Sequence, residues 1–163
     1  MNIKGVLNGM IAVYDQMMSQ GRGQVVNLSS IYGNSPTEGA AVYGATKAAV
    51  NMMSESFRIE THGKIKVTIV RPTGVMGTGL GSGVINGDAL RGILGDRVPD
   101  FLEGLTKMGT DDPKAVDLDP ESIGFGSLTP EILVDQILYA IDQPWGVSVG
   151  DITVRAAGDL FLN

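Results

Sequence analysis

Three side chains of this 163-residue sequence stand at a spacing that suits proton transfer: Ser30, Tyr43 and Lys47. Tyr43 opens the run Tyr43-Gly44-Ala45-Thr46-Lys47, whose surroundings predict a helix, so Tyr43 and Lys47 share one helix face a turn apart. An unperturbed phenol titrates near pKa ~10, too high for a general base at neutral pH. A lysine ammonium at roughly 4 Å, in an effective dielectric of about 20, is worth about 4 kcal/mol and brings the phenol toward the working range before desolvation is counted. Ser30 ends the run Val25-Val26-Asn27-Leu28-Ser29-Ser30, thirteen residues before Tyr43. A hydroxyl at a strand end there is a preorganised donor to a substrate oxygen on which charge develops. On their own, Ser29 and Ser30 read as a strand-end turn that satisfies backbone groups. The Tyr43–Lys47 offset reverses that judgement.

The elements that position these residues are readable from periodicity. Apolar residues at helical spacing predict a helix over 3–20, stopped by Gly21 and Gly23. A buried strand follows from Gln24 into the serines, then a helix over roughly 41–61. Ile65 to Val70 form a second apolar strand, closed by Arg71-Pro72. Residues 74–126 are rich in glycine, acid and proline, with a weak helical pattern only at 87–106, and read as a long substrate-loop or lid excursion. Thr129-Pro130-Glu131 gives an N-cap, a proline and an acid for a helix to about Asp142. Val147 to Val154 read as the last strand. The expected fold is α/β: about three parallel strands flanked by helices, in one domain spanning 1–163. Such a sheet presents long unpaired edges that something is expected to cover.

The order N-I-K-G, V-V-N-L-S-S-x-x-G, Y-G-A-T-K, R-P-T-G-V and D-I-T-V-R resembles the short-chain dehydrogenase/reductases over nearly the whole chain. The resemblance implies that Tyr43 is the acid/base that exchanges a proton with the carbinol oxygen. It implies that Lys47 lowers the pKa of that phenol and holds the nicotinamide ribose, that Ser30 polarises the substrate, and that the backbone of Asn2 positions a water in a proton relay. Pro72-Thr73-Gly74-Val75 matches the family's segment after its sixth strand, usually Pro-Gly-x-Val-x-Thr, where the Val75 backbone would meet the nicotinamide carboxamide. Here Thr73 stands in place of the usual glycine and Thr78 falls one residue late. Tyr43, Lys47, Pro72, Thr73, Gly74 and Val75 are thus the expected cofactor contacts. The family's fold begins with a strand and a T-G-x-x-x-G-x-G turn that binds the cofactor pyrophosphate. No such motif occurs in this sequence. The resemblance therefore implies the carboxyl-terminal, active-site half of a Rossmann-like fold, with only part of an NAD or NADP site. The glycines at 77–83 follow the sixth family strand and precede no strong helix, so they read as lid. In the family the helices corresponding to 3–20 and 41–61 pack across a dimer axis, which implies a homo-oligomer.

Composition narrows the classes. There is no cysteine and a single histidine, His62, so thiolate catalysis, disulfides and Cys- or His-rich metal sites are excluded, and no metal is expected. The acidic cluster Asp111, Asp112, Asp117, Asp119 and Glu121 matches no calcium-loop spacing. A formal charge of -6 without a basic run argues against nucleic acid or an anionic lipid surface as partner. No apolar run approaches a membrane span, and no signal-like leader opens the chain, so a cytoplasmic protein is the expectation. The expected function is NAD(P)-dependent hydride transfer to or from a small carbonyl or alcohol, incomplete in this chain. The alternative is a catalytically silent dimerisation module derived from that fold, which requires no cofactor.

Overall fold

The computed structural model of the chain describes residues 2–84 and 86–161. Its elements are α1 (Asn2–Gln20), β1 (Gly23–Leu28), α2 (Ala41–Glu60), β2 (Ile65–Pro72), α3 (Asp88–Leu94), α4 (Val98–Thr106), α5 (Pro130–Ile141) and β3 (Asp151–Val154). The strands form one parallel sheet in the order β1-β2-β3, with Gly23 opposite Ile65 and Ile69 opposite Asp151. This is the α/β arrangement that the sequence predicts.

β2 is the centre of the sheet, and every residue from Ile65 to Val70 is buried because both faces are covered. On one face Ile65 and Val67 pack against Met10 of α1 and Phe57 of α2. On the other, Lys66 donates to the carbonyls of Gln143 (3.3 Å) and Val147 (3.0 Å), and Thr68 donates to that of Val149 (2.8 Å). Trp145 lies under the cations of Arg22 and Lys66, 4.6 and 5.2 Å from its ring centroid. These contacts correct the extent of the last strand. The sequence predicts it from Val147, but the 147 and 149 carbonyls are taken by side chains of β2, so the ladder forms only over Asp151–Val154.

The excursion after β2 is also more structured than its composition suggests. In place of one weak helix over 87–106 there are two, α3 and α4, separated by a 3₁₀ turn at Gly95–Arg97. Gly95 adopts φ 58°, a left-handed conformation that ends α3 at low cost only for glycine. α3 lies against the turn that leads into α2: Asn86 donates to the Gly39 carbonyl at 3.0 Å, and a Cβ at Gly92 would run into the Glu38 carbonyl oxygen. Gly92→Ala is therefore expected to cost about 3 kcal/mol or more, because the obstruction is backbone rather than a flexible side chain. A urea midpoint within error of the parent's would show that α3 does not seat there.

Candidate active site

β1 delivers the first residues of the site. Its carboxyl end is pinned by the buried Asn27, whose amide donates to Ser54 of α2 (2.8 Å) and to the Met10 sulfur of α1 (3.4 Å). Ser54 in turn donates to the Val50 carbonyl at 2.7 Å, so this buried polar link is satisfied at both members. After the Ser29 N–H closes the ladder on the Val70 carbonyl (2.8 Å), Ser30 is fully extended, and its hydroxyl caps the 3₁₀ turn Ile31–Gly33 by accepting from the Tyr32 N–H at 3.3 Å. That turn lies directly on α2. A Cβ at Gly33 would come 2.9 Å from the Lys47 carbonyl carbon, and one at Gly44 would come 2.9 Å from the Tyr32 carbonyl oxygen. The glycines of S-S-x-x-G and Y-G-A-T-K thus permit the approach that brings Ser30 to Tyr43.

Tyr43 lies in the first turn of α2, one turn from Lys47. The Ser30 hydroxyl acts on the Tyr43 phenol, pulling its pKa down against the upward push of burial. The Lys47 backbone carbonyl accepts from Ser29 Oγ at 3.2 Å, and its Nζ donates to the Leu28 carbonyl at 3.0 Å. Nζ stands 5.7 Å from the Tyr43 ring centroid. Asn2, at the start of α1, donates to Thr46 Oγ1 (3.1 Å), which donates to the Tyr43 carbonyl (2.7 Å). Asn2, Ser30, Tyr43 and Lys47 are therefore joined in one region at the carboxyl end of β1.

The strip 72–75 continues from the neighbouring strand β2. Pro72 and Thr73 are buried, the Thr73 N–H donates to the Val154 carbonyl (3.0 Å), and Thr73 Oγ1 is a buried hydroxyl with no partner among the described residues. Gly74 and Met76 bond Leu128 through the Gly74 carbonyl (3.2 Å) and the Met76 N–H (2.9 Å). In this parallel bridge the N–H and C=O of Val75 itself point away from Leu128. The Thr78 hydroxyl is turned to the Val75 carbonyl at 3.0 Å. Ser30, Tyr43, Lys47 and this strip thus all lie at the carboxyl ends of adjacent parallel strands, where open α/β sheets bind ligands. A cleft of about 420 Å³ opens among the residues that follow β2 and the carboxyl-terminal arm, lined by Met76, Phe101, Gly104, Val116 and Phe161.

The electrostatics differ from the sequence expectation in one respect. Burial raises the Tyr43 phenol above its ordinary value, and the Ser30 hydrogen bond offsets this only in part. Lys47 is pushed down by burial, and its Nζ is directed to a backbone carbonyl rather than to the phenol. Desolvation of both groups therefore outweighs the attraction expected from their offset. Tyr32 is raised further still, first by burial and then by the charge of Asp159.

A stability consequence follows. Below the ordinary phenol value of 10.0, both tyrosines are protonated whether the chain is folded or not. Above it the unfolded chain releases protons that the folded chain retains, so stability falls as pH rises through that window. Lys47, lowered from 10.5, acts in the opposite sense but at lower pH. Urea midpoints are expected to decline above about pH 10, and less steeply in Tyr32→Phe. Equal slopes in the two proteins would contradict the buried phenol.

Tyr32 and Asp159 carry no signal in the sequence, where Tyr32 reads as an ordinary aromatic; their proximity arises only when the carboxyl-terminal arm folds back. Among the described residues no group of three or more Asp, Glu or His side chains is placed to hold a metal, and no helix is long and apolar enough to cross a membrane.

Comparison with known proteins agrees with this geometry. The family model described as short chain dehydrogenase matches residues 1–86. An uncharacterized oxidoreductase of Listeria monocytogenes is 31% identical over 156 residues, covering 94% of this chain and 52% of the relative. A glycine betaine reductase of Emericella nidulans is 30% identical over 155 residues, which are 94% of this chain and 10% of that protein. The closed form of serine dehydrogenase complexed with NADP+ superimposes with a TM-score of 0.66 at 25% identity, over 94% of this chain and 52% of that one. The chain spans about half the length of the bacterial relatives it matches. With the match to the family model extending from the start of α1 past the whole Ser30–Tyr43–Lys47 region and the strip that follows β2, the chain belongs to the short-chain dehydrogenase family.

Proposed function

We propose that this chain carries the catalytic half of an NAD- or NADP-dependent oxidoreductase that exchanges hydride with a small carbonyl or alcohol. The observation that carries the reading is the packing of the turn after Ser30 on the first turns of α2, which bear Tyr43 and Lys47, at the carboxyl end of β1 beside the strand that leads into the 72–75 strip. A buried Thr73 hydroxyl without a partner among the described residues and the outward-turned Val75 N–H fit a polar ligand edge such as that of a carboxamide. A bound nicotinamide supplies or accepts the hydride at the substrate carbon.

Ser30 donates to the substrate oxygen, and Tyr43 gives it the phenolic proton as the oxygen becomes an alkoxide. Because burial favours the protonated phenol, Tyr43 rests as an acid at neutral pH, which suits reduction of a carbonyl. Lys47 lies close enough to hold a ribose hydroxyl, and Asn2 ties α1 to the turn between Tyr43 and Lys47.

The side of β1 away from β2 is unpaired among the described residues, and a dinucleotide-binding half continuing the sheet there would complete the cofactor site. α1 and α2 present Ile11, Val42, Met52 and Ile59 to solvent, the faces through which a homo-oligomer would form. A cytoplasmic setting suits a cysteine-free chain of this kind. The test is titration of the chain with NADH and NADPH, followed by nicotinamide fluorescence. Saturable binding supports the reading, and its absence at millimolar cofactor overturns it for this chain alone.

A further inference from the structure

Ser30 and Tyr43 are carried by different elements, so how they stand to each other depends on how the loop after β1 is fastened to α2. Ahead of Ser30 the fastening is by Lys47: its Nζ donates to the Leu28 carbonyl at 3.0 Å, and its carbonyl accepts from Ser29 Oγ at 3.2 Å. Behind Ser30 it is by Asn51, one helical turn further along α2. The Asn51 Nδ2 donates to the Gly33 carbonyl at 3.2 Å and to Asn34 Oδ1 at 3.2 Å. The Gly33 N–H in turn donates to the Ser30 carbonyl at 3.1 Å, so a chain of hydrogen bonds runs from Asn51 through Gly33 to Ser30. Tyr43, Lys47 and Asn51 follow one another four residues apart and share one face of the helix. A Cβ at Gly33 would come 2.9 Å from both Asn51 Nδ2 and the Lys47 carbonyl carbon, so the turn is seated on both residues.

The chemistry of Asn51 separates this role from packing. Oδ1 of the same amide is buried and has no hydrogen-bond partner among the described residues. A buried acceptor without a donor costs stability, so an apolar side chain of similar volume would serve the fold about as well. What the amide alone supplies is the pair of bonds to Gly33 and Asn34. Turned over, it would set Oδ1 against the Gly33 carbonyl, oxygen to oxygen, which fixes its orientation. The end of β1 has other ties to α2, through Asn27 to Ser54 at 2.8 Å and through Lys47. Loss of Asn51 therefore frees the 31–34 segment and leaves the strand in place.

We propose that Asn51 is a positioning residue for the reaction: by holding the 31–34 segment on α2 it sets Ser30 at the helix face that bears Tyr43. Its effect on turnover rests on the function proposed above. The test follows diacetyl-dependent NADPH oxidation, NADPH affinity, the urea midpoint and the NMR shift of Tyr43 Cζ, which reads the hydrogen bonding of the phenol. These are measured on the full chain in the parent, Asn51→Leu, Ser30→Ala and the double variant, with Asn51→Ala alongside because it cannot crowd the helix. Expected in Asn51→Leu are a kcat lower by about 10- to 100-fold, NADPH affinity within about twofold of the parent and an unchanged urea midpoint. In the Ser30→Ala background the same change costs no further turnover, because the residue it acts through is gone. The Tyr43 Cζ shift moves in the same direction in Asn51→Leu as in Ser30→Ala. Losses of turnover that add in the double variant overturn the proposal, as does a Tyr43 shift that Asn51→Leu leaves in place. So does a urea midpoint that falls in step with kcat in both Asn51 variants, which would make the amide structural. A parent that binds NADPH without turnover, while Tyr43 still responds to Asn51, removes the oxidoreductase reading and leaves the positioning of Ser30 standing.

Discussion

Tyr43→Phe is expected to lower carbonyl-dependent oxidation of bound NADPH by about 10²- to 10⁴-fold, the range over which one positioned acid contributes to turnover. Its fold and cofactor affinity should be nearly unchanged. The variant deletes one oxygen from a half-buried ring whose neighbours keep their own bonds: Ser30 still caps the 31–33 turn, and Thr46 still bonds the Tyr43 carbonyl. The pH profile is the companion measurement. Reduction needs the protonated phenol, and burial holds that form above its ordinary 10.0, so parent activity should stay level through neutral pH and fall only on the alkaline side. A profile falling near neutrality would place the proton on another group.

Lys47→Ala carries the second large effect, and it should appear in binding. The ammonium is a donor already desolvated and aligned on the Leu28 carbonyl at 3.0 Å. Hydrogen bonds from charged donors are worth about 1.5–3 kcal/mol, so the affinity for NADH or NADPH should weaken by roughly 10- to 100-fold. The same change exposes the Leu28 carbonyl at the end of β1, and a smaller loss of stability, about 1 kcal/mol, is expected with it. Lys47→Arg should not restore full affinity, because a planar fork cannot reproduce a point ammonium packed against the helix. Equal dinucleotide binding by parent and Lys47→Ala would remove Lys47 from the cofactor site.

What the sequence reveals of this fold depends on how local each cause is. Thr129 and Pro130 announce α5 because cap and helix lie within four residues, and the Thr129 hydroxyl does accept from the Ile132 N–H at 3.4 Å. The Tyr43–Lys47 offset is legible for the same reason, and Gly33 and Gly44 prove to be the places where the turn after Ser30 touches α2. The late start of β3 is illegible, since it depends on which carbonyls Lys66 and Thr68 capture from across the sheet. The split between α3 and α4 turns on the single left-handed Gly95. The upward shift of Tyr43 depends on burial by residues distant in sequence, whereas the offset alone argues for a downward one. The charge of Asp159 reaches Tyr32 only because the last residues fold back across Gly74, where an added Cβ would come 2.7 Å from the Phe161 ring.

The central claim is that Tyr43 is the proton donor of a hydride-transfer site, and the most direct measurement is carbonyl-dependent oxidation of NADPH by the purified chain and its Tyr43→Phe variant at matched cofactor occupancy. The account predicts turnover by the parent and a loss of at least about a hundredfold in the variant, with equal cofactor binding by both. Equal turnover by the two proteins, or saturable cofactor binding with no turnover by either, would contradict it.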